Sequence, residues 1–100
     1  MPIYVMLTTL TDAGRKAIQE EPEKLREINK ETEFMGAKII DQYALLGQYD
    51  FVNILEAASN EEIAKLAIRM SARGTTQTLT LAAINIEDLI QALKHRESPW

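Results

Sequence analysis

The segment KIIDQYALLGQYDFVNILEA, residues 38–57, decides the fold. It contains two runs rich in β-branched and aromatic residues, 38–46 and 49–57, which are separated by Gly47 and Gln48. Such side chains favour strands, and a glycine at the first central position suits a two-residue type II′ turn. The segment therefore predicts a tight β-hairpin.

The sequence on either side of this hairpin alternates between strand and helix patterns. An uncharged apolar run precedes the first helix, and three residues with capping side chains, Thr11, Ser59 and Asn85, stand before three helical segments. The predicted elements are a strand at 3–10, helices at 12–20 and 22–35, the hairpin strands, a helix at 59–72, a strand at 75–84 and a helix at 86–95. This order predicts a single α+β domain over residues 1–100: a ferredoxin-like βαββαβ four-stranded antiparallel sheet plus a C-terminal helix. Residues from about 96 to 100 are expected to form a flexible tail.

The composition excludes several classes of function. The chain has 100 residues, with 11 Lys+Arg against 15 Asp+Glu and a net charge of −4, so nucleic acid is not an expected partner. It has no cysteine, which rules out disulfides and thiolate chemistry. No apolar run approaches the roughly 20 residues that span a bilayer, and the N-terminus shows no basic leader, so we expect a cytoplasmic protein without membrane contact.

The predicted hairpin turn fixes which side chains share a face of the sheet. The expected cross-strand pairs are Leu46 with Tyr49, Ala44 with Phe51, Gln42 with Asn53, and Ile40 with Leu55. The opposite face carries Ile39, Tyr43, Leu45, Val52 and Ile54, which suits packing against helices. The first set is therefore expected to face away from the helices, and its apolar character predicts a homodimer that pairs sheet to sheet as a dimeric α/β barrel.

Four polar residues are candidates for binding a ligand at this sheet face: Thr8, Gln42, Tyr49 and Asn53. Thr8, Gln42 and Asn53 would need partners inside an apolar interface, either each other or a bound molecule. An amide N–H group of Gln42 or Asn53 could orient a substrate, or the two side chains could simply bond to one another.

Tyr49 and Asp50 are the candidate catalytic residues. A carboxylate beside a phenol suits proton transfer. The structural alternative is favoured, because Tyr49 can pack across the hairpin and Asp50 can accept hydrogen bonds from turn amides.

The segment LGQYDFV, residues 46–52, resembles the defining segment of the GYD-domain family, in which Gly, Tyr and Asp follow a strand. The opening strand 2–10, the Leu10-Thr11-x-x-Gly14 step, Pro22 and the Glu56-Ala57 exit into a capped helix also resemble that family. The resemblance implies a small ferredoxin-like domain of the dimeric α/β-barrel type, and it implies little about activity.

Three functions are compatible with these features. The favoured one is a homodimer that binds a small, partly apolar molecule in or near the sheet face or in the groove between sheet and helices. The second is a small enzyme similar to cofactor-independent oxygenases or isomerases, with Tyr49, Asp50 and Asn53 as its acid-base and orienting groups. The third is a structural or interaction protein without a ligand. No metal ion or cofactor is expected in any of them.

Overall fold

A computed structural model describes residues 1–95 as four strands and four helices. The elements in chain order are β1 (Ile3–Leu10), α1 (Asp12–Glu20), α2 (Lys24–Phe34), β2 (Lys38–Ala44), β3 (Phe51–Glu56), α3 (Asn60–Ser71), β4 (Thr76–Ala83) and α4 (Ile86–Lys94). Each predicted element is therefore present. The tail expected from about residue 96 lies outside the described residues.

The four strands form one antiparallel sheet in the order β2-β3-β1-β4. β1 and β3 occupy the centre, since each lies between two neighbours, and β2 and β4 form the edges. This arrangement confirms the ferredoxin-like α+β fold. The predicted helix caps are also present, because the side chains of Thr11, Ser59 and Asn85 each accept a hydrogen bond from a backbone N–H of the first helical turn.

The hairpin departs from the prediction at both of its ends. Instead of a two-residue turn, residues 45–50 form a loop, which is closed by a hydrogen bond from Leu45 N to Asp50 O. The Asp50 N–H is donated to Thr8 O in β1, at 2.8 Å, so Asp50 also ties this loop to the central strand. The pairing of Leu46 with Tyr49 was therefore wrong.

A register shift near Ile40 changes the other end of the hairpin. Gln42 pairs with Asn53 as expected, but Leu55 pairs with Ile39, because a β-bulge lies between Ile39 and Asp41. The extra residue moves Ile39 to the side of the sheet that carries Leu55, where it packs against the core. The expected pair of Ile40 with Leu55 was wrong for this reason.

The helices cover the face of the sheet that was expected to be bare. Tyr4, Met6 and Leu55 on that face are at most 2% exposed, and they form the core with Ile63 and Leu66 of α3. The expected orientation of the sheet was therefore wrong, and the pattern of β1 could not correct it because both faces of that strand are apolar. On the covered face, Asn60 of α3 accepts the hydrogen bond of Tyr4 Oη at 2.6 Å.

The opposite face, which we call the outer sheet face, is mainly apolar and is covered by none of residues 1–95. Its central residues are half-buried, and its edge residues Tyr43, Leu79 and Leu81 are 60%, 44% and 46% exposed. By strand alternation and register, the apolar residues of the outer sheet face are Ile3, Val5, Leu7, Tyr43, Val52, Ile54, Leu79 and Leu81, and Thr9, Asp41, Glu56 and Gln77 lie on the same face.

Helix α4 extends away from the rest of the molecule. Every residue from 84 to 95 is exposed, and α4 makes at most marginal contact with any other described helix or strand. The molecule measures 61 × 28 × 19 Å, and its radius of gyration of 16.3 Å exceeds the value of about 13 Å typical of a compact 100-residue domain. The elongation is consistent with a projecting C-terminal helix.

Candidate functional site

Three amide side chains meet where α2 crosses the sheet. Gln42 and Asn29 exchange two hydrogen bonds, at 2.8 and 2.9 Å, and Gln42 Nε2 also donates to Asn53 Oδ1 at 2.7 Å. The predicted contact between Gln42 and Asn53 is therefore present, with Asn29 as a third member. We call these residues the amide cluster.

The sequence already contained a signal for Asn29. Leu25, Ile28 and Thr32 form the apolar stripe of α2, and Asn29 stands four residues after Leu25 and three before Thr32. Residues at those spacings share a helix face, and this spacing predicts that Asn29 points toward the sheet. The covered face was assigned to the wrong side of the sheet, which is why this residue was missed.

A cavity of about 210 Å³, the sheet-helix cavity, opens beside the amide cluster. Its polar lining consists of the amide cluster, Thr8 and Thr76. The rest of its wall is hydrophobic and comes from Leu10, Ile18, Leu25, Ile28, Ala44, Phe51 and Met70. No charged side chain of residues 1–95 lines it. A hydrophobic wall with a few converging polar groups is typical of a small-molecule site.

Thr8 is an unusual residue in this wall. It is 3% exposed, and its Oγ1 is buried without a hydrogen-bond partner in the described chain. Thr76, in the same wall, donates its hydroxyl hydrogen to Met70 O at 3.2 Å. An unpaired buried hydroxyl costs free energy. Thr8 is therefore the polar residue of the cavity that would gain most from a hydrogen bond to a bound molecule.

A second cavity of about 280 Å³ adjoins the first and shares Leu10, Ile18, Ile28 and Thr76 with it. Unlike the first, it has charged residues in its lining, among them Glu31 and Arg73. Arg73 hydrogen-bonds Glu31 and lowers the pKa of that carboxyl, and Arg69, 3.4 Å from the same oxygen, acts in the same direction. Glu31 in turn raises the pKa of Arg73. The ion pair joins α2 to the segment after α3.

The two candidate catalytic residues do not meet in a cavity. The Asp50 carboxylate accepts the Leu10 N–H at 2.7 Å and lies 3.7 Å from the Arg15 guanidinium. Asp50 thus satisfies a backbone amide at the end of β1, where the sequence had suggested turn amides. Tyr49 is half-buried in the loop and lines none of the cavities described above. Thr8, Gln42 and Asn53 are brought together, whereas Tyr49 is not.

Residues 1–95 lack two features that would point to other functions. No group of three or more His, Asp or Glu side chains there is placed to hold a metal ion. Within the same residues, no helix has both the length and the apolar character needed to cross a membrane.

Comparison with known structures supports the fold. The leucine response regulatory protein LrpA of Mycobacterium tuberculosis superposes with a TM-score of 0.60 at 15% identity, over 84% of this chain and 51% of that one. The protein FFRP-DM1 superposes with a TM-score of 0.56 at 20% identity, over 84% of this chain and 100% of its own. At these identities the likeness concerns the fold alone.

Comparison of sequences identifies the family. A Thermus thermophilus protein, named glutamine synthetase and cystathionine β-lyase binding protein, is 42% identical over 95 residues, which cover 94% of this chain and 100% of that protein. The GYD domain matches residues 4–93, a range that includes the Gly47-to-Asp50 segment, three complete strands, β1 from its second residue onward and most of α4. The chain therefore belongs to the GYD-domain family.

Proposed function

We propose that this chain is a homodimeric protein that binds a metabolic enzyme, of the glutamine synthetase or cystathionine β-lyase kind. The observation that carries the proposal is the amount of apolar surface left uncovered on the outer sheet face and on α4. Large exposed apolar patches on a small domain mark interaction sites. The name of the 42% identical relative supports an enzyme as one of the proteins bound.

Helix α4 is the proposed enzyme-docking element. Ile86, Leu89, Ile90 and Leu93 follow the spacing of one helix face, and they are 67%, 42%, 37% and 73% exposed. A helix that presents such a stripe binds by laying it in a hydrophobic groove of its partner. The projection of α4 away from the sheet leaves this stripe open to another protein.

The outer sheet face is the proposed contact with a second copy of the chain. We retain the sheet-to-sheet homodimer inferred from the sequence. Its interface is now the outer sheet face, which is the opposite side of the sheet from the one expected from the sequence. A symmetric pairing places one patch against itself, so a patch of like apolar residues such as Val5, Leu7, Val52 and Ile54 is self-complementary. Two such faces would enclose a barrel-like core.

Binding to purified glutamine synthetase and cystathionine β-lyase from the source organism tests the proposal. Surface plasmon resonance should detect saturable binding of the wild-type chain to at least one of the two enzymes. Ile90→Glu, which puts a charge in the apolar stripe, should weaken that binding by tenfold or more. Gln91→Glu, which adds the same charge to the polar side of α4, should bind as the wild type does.

Two results would contradict this assignment. Absence of binding to both enzymes would remove the enzyme-binding function. Dissociation of the homodimer by Ile90→Glu, measured by sedimentation, would make α4 part of the homodimer interface instead of an enzyme-docking element.

Small-molecule binding is the second candidate function, and the sheet-helix cavity is the observation that favours it. Thr8, Gln42 and Asn53, three of the four ligand-binding candidates, line this cavity, while Tyr49 does not. Native mass spectrometry of freshly purified protein, compared with the denatured mass, should then show a retained molecule. A bare protein in every preparation would argue against a tightly bound ligand.

A further inference from the structure

The geometry points to a specific class of ligand for the sheet-helix cavity: a small uncharged molecule with a hydrocarbon body and a carbonyl-bearing head, for which a carboxamide is the best match. This inference rests on the second candidate function and names the chemistry of its site.

The size of the cavity limits the ligand. An apolar cavity of about 150 Å³ holds a benzene molecule, so the 210 Å³ here accommodate roughly six to eight non-hydrogen atoms. The adjoining cavity gives a longer body room to extend past Leu10 and Ile28, which line both spaces.

The absence of charge in the lining sets the protonation state of the ligand. None of the described residues that line the sheet-helix cavity is Asp, Glu, Lys, Arg or His. A carboxylate or an ammonium group would therefore lose its hydration without gaining an opposite charge, at a large cost in free energy. An uncharged head avoids that cost.

The hydrogen-bonding groups that remain unused set the chemistry of the head. Asn53 is 8% exposed, and its Oδ1 accepts from Gln42, whereas none of the hydrogen bonds in the described chain uses its Nδ2 as donor. Thr8 Oγ1 has no partner at all in the described chain. A carbonyl oxygen can accept from both groups, and the NH₂ of a carboxamide can donate to the threonine oxygen.

Register brings the two groups close enough to share one head. Met6 lies opposite Asn53 on β3, and Thr8 is the next residue of β1 on the same face. Diagonal neighbours on one face are about 7–8 Å apart between their Cα atoms, with the side chains projecting to the same side. A head group two or three atoms wide can lie between them.

Three probes with the same branched hydrocarbon body test the head-group requirement: isocaproamide, isocaproate and isohexylamine. Titrations of ¹⁵N-labelled full-length protein are followed by the side-chain amide signals of Asn53, Gln42 and Asn29 and by the backbone amide of Thr8. Isocaproamide should shift these signals saturably, with at least tenfold higher affinity than either charged probe.

Two isosteric variants separate a binding role of the hydroxyl from a structural one. Thr8→Val removes the cavity hydroxyl and should weaken isocaproamide binding about tenfold, while leaving the melting temperature unchanged or higher, because the hydroxyl bonds nothing in the described part of the chain. Thr80→Val is the matched control. Thr80 Oγ1 is also buried without a partner among residues 1–95, but Thr80 does not line the cavity, so this variant should bind like the wild type.

The outcomes distinguish failure of this inference from failure of the function on which it rests. A charged probe could shift the same signals with the affinity of isocaproamide, or Thr8→Val could bind isocaproamide with wild-type affinity. Either result would show that the proposed ligand class is wrong, although the site would remain. If no probe moves the cavity signals at millimolar concentration, both the ligand class and the small-molecule site are overturned.

Discussion

At the level of one residue, the Asp50 side chain holds two elements of the fold together. Its carboxylate accepts the Leu10 N–H at 2.7 Å at the point where β1 ends. The same residue donates its own N–H to Thr8 O and accepts from Leu45 N. Asp50 thereby ties the hairpin loop to the central strand, which argues for a structural role over a catalytic one.

Substitution of Asp50 should test that role. Asp50→Ala is expected to lower the free energy of unfolding by about 1–3 kcal/mol, because the Leu10 N–H loses a charged acceptor. Asp50→Asn keeps an oxygen at this position and should lose less. Urea unfolding of the three proteins provides the measurement, and equal stability of Asp50→Ala and wild type would show that the Leu10 contact contributes nothing.

At the level of elements, α1 and the chain just before β4 approach each other closely. Gly14, in the first turn of α1, lies so close to the chain at Thr75 that an ideal Cβ would stand 2.1 Å from Thr75 O. The Thr11 N–H bonds the same carbonyl at 3.0 Å, and Thr11 Oγ1 donates to Gly74 O at 2.7 Å. Glycine is thus required here by close approach of two backbones.

This close contact reverses the usual effect of removing a helical glycine. Elsewhere in a helix, Gly→Ala stabilises by about 1 kcal/mol. Gly14→Ala should instead destabilise by about 1–3 kcal/mol, since backbone atoms cannot give way as a flexible side chain would. Thermal unfolding monitored by circular dichroism would measure the sign, and a higher melting temperature would refute the contact.

At the level of the whole molecule, residues 1–95 of this 11.3 kDa chain leave two apolar surfaces without a cover, the outer sheet face and the α4 stripe. A small domain has a modest core, so leaving this much apolar area in water forgoes stabilisation that an interface would recover. We therefore expect the outer sheet face to be buried by a second copy at working concentrations.

Sedimentation of two charge variants should test the homodimer. Leu81→Glu places a carboxylate on the outer sheet face, at a residue already 46% exposed in the subunit, so it should convert a dimer to a monomer at micromolar concentration without unfolding it. Phe34→Glu changes a 91% exposed apolar residue at the end of α2 and should leave the dimer intact. A wild-type monomer, or a dimer that tolerates Leu81→Glu, would contradict the proposed interface.

The order of elements could be predicted from the sequence because the signals that begin and end each element are local. Capping side chains at Thr11, Ser59 and Asn85, the glycine breaks and the strand-forming runs each act over a few residues, and the ferredoxin-like topology follows from their order. The pairing of Gln42 with Asn53 depended only on strand register near the loop, and it is present. An uncovered apolar face of the sheet could also be predicted, since both sides of β1 are apolar.

Which face the helices cover was decided only by tertiary structure. Alternation divides a strand into two sets of residues but does not say which set meets the helices. Here the set that contains Tyr4, Met6 and Leu55 packs with Ile63 and Leu66 of α3, which are distant in sequence. The bulge at Ile40, the loop held to β1 by Asp50 and the cavity lined by Thr8 likewise depend on contacts between separate elements. The sequence by itself determined the elements and their order, whereas long-range packing and hydrogen bonding determined the sidedness of the sheet and the site that follows from it.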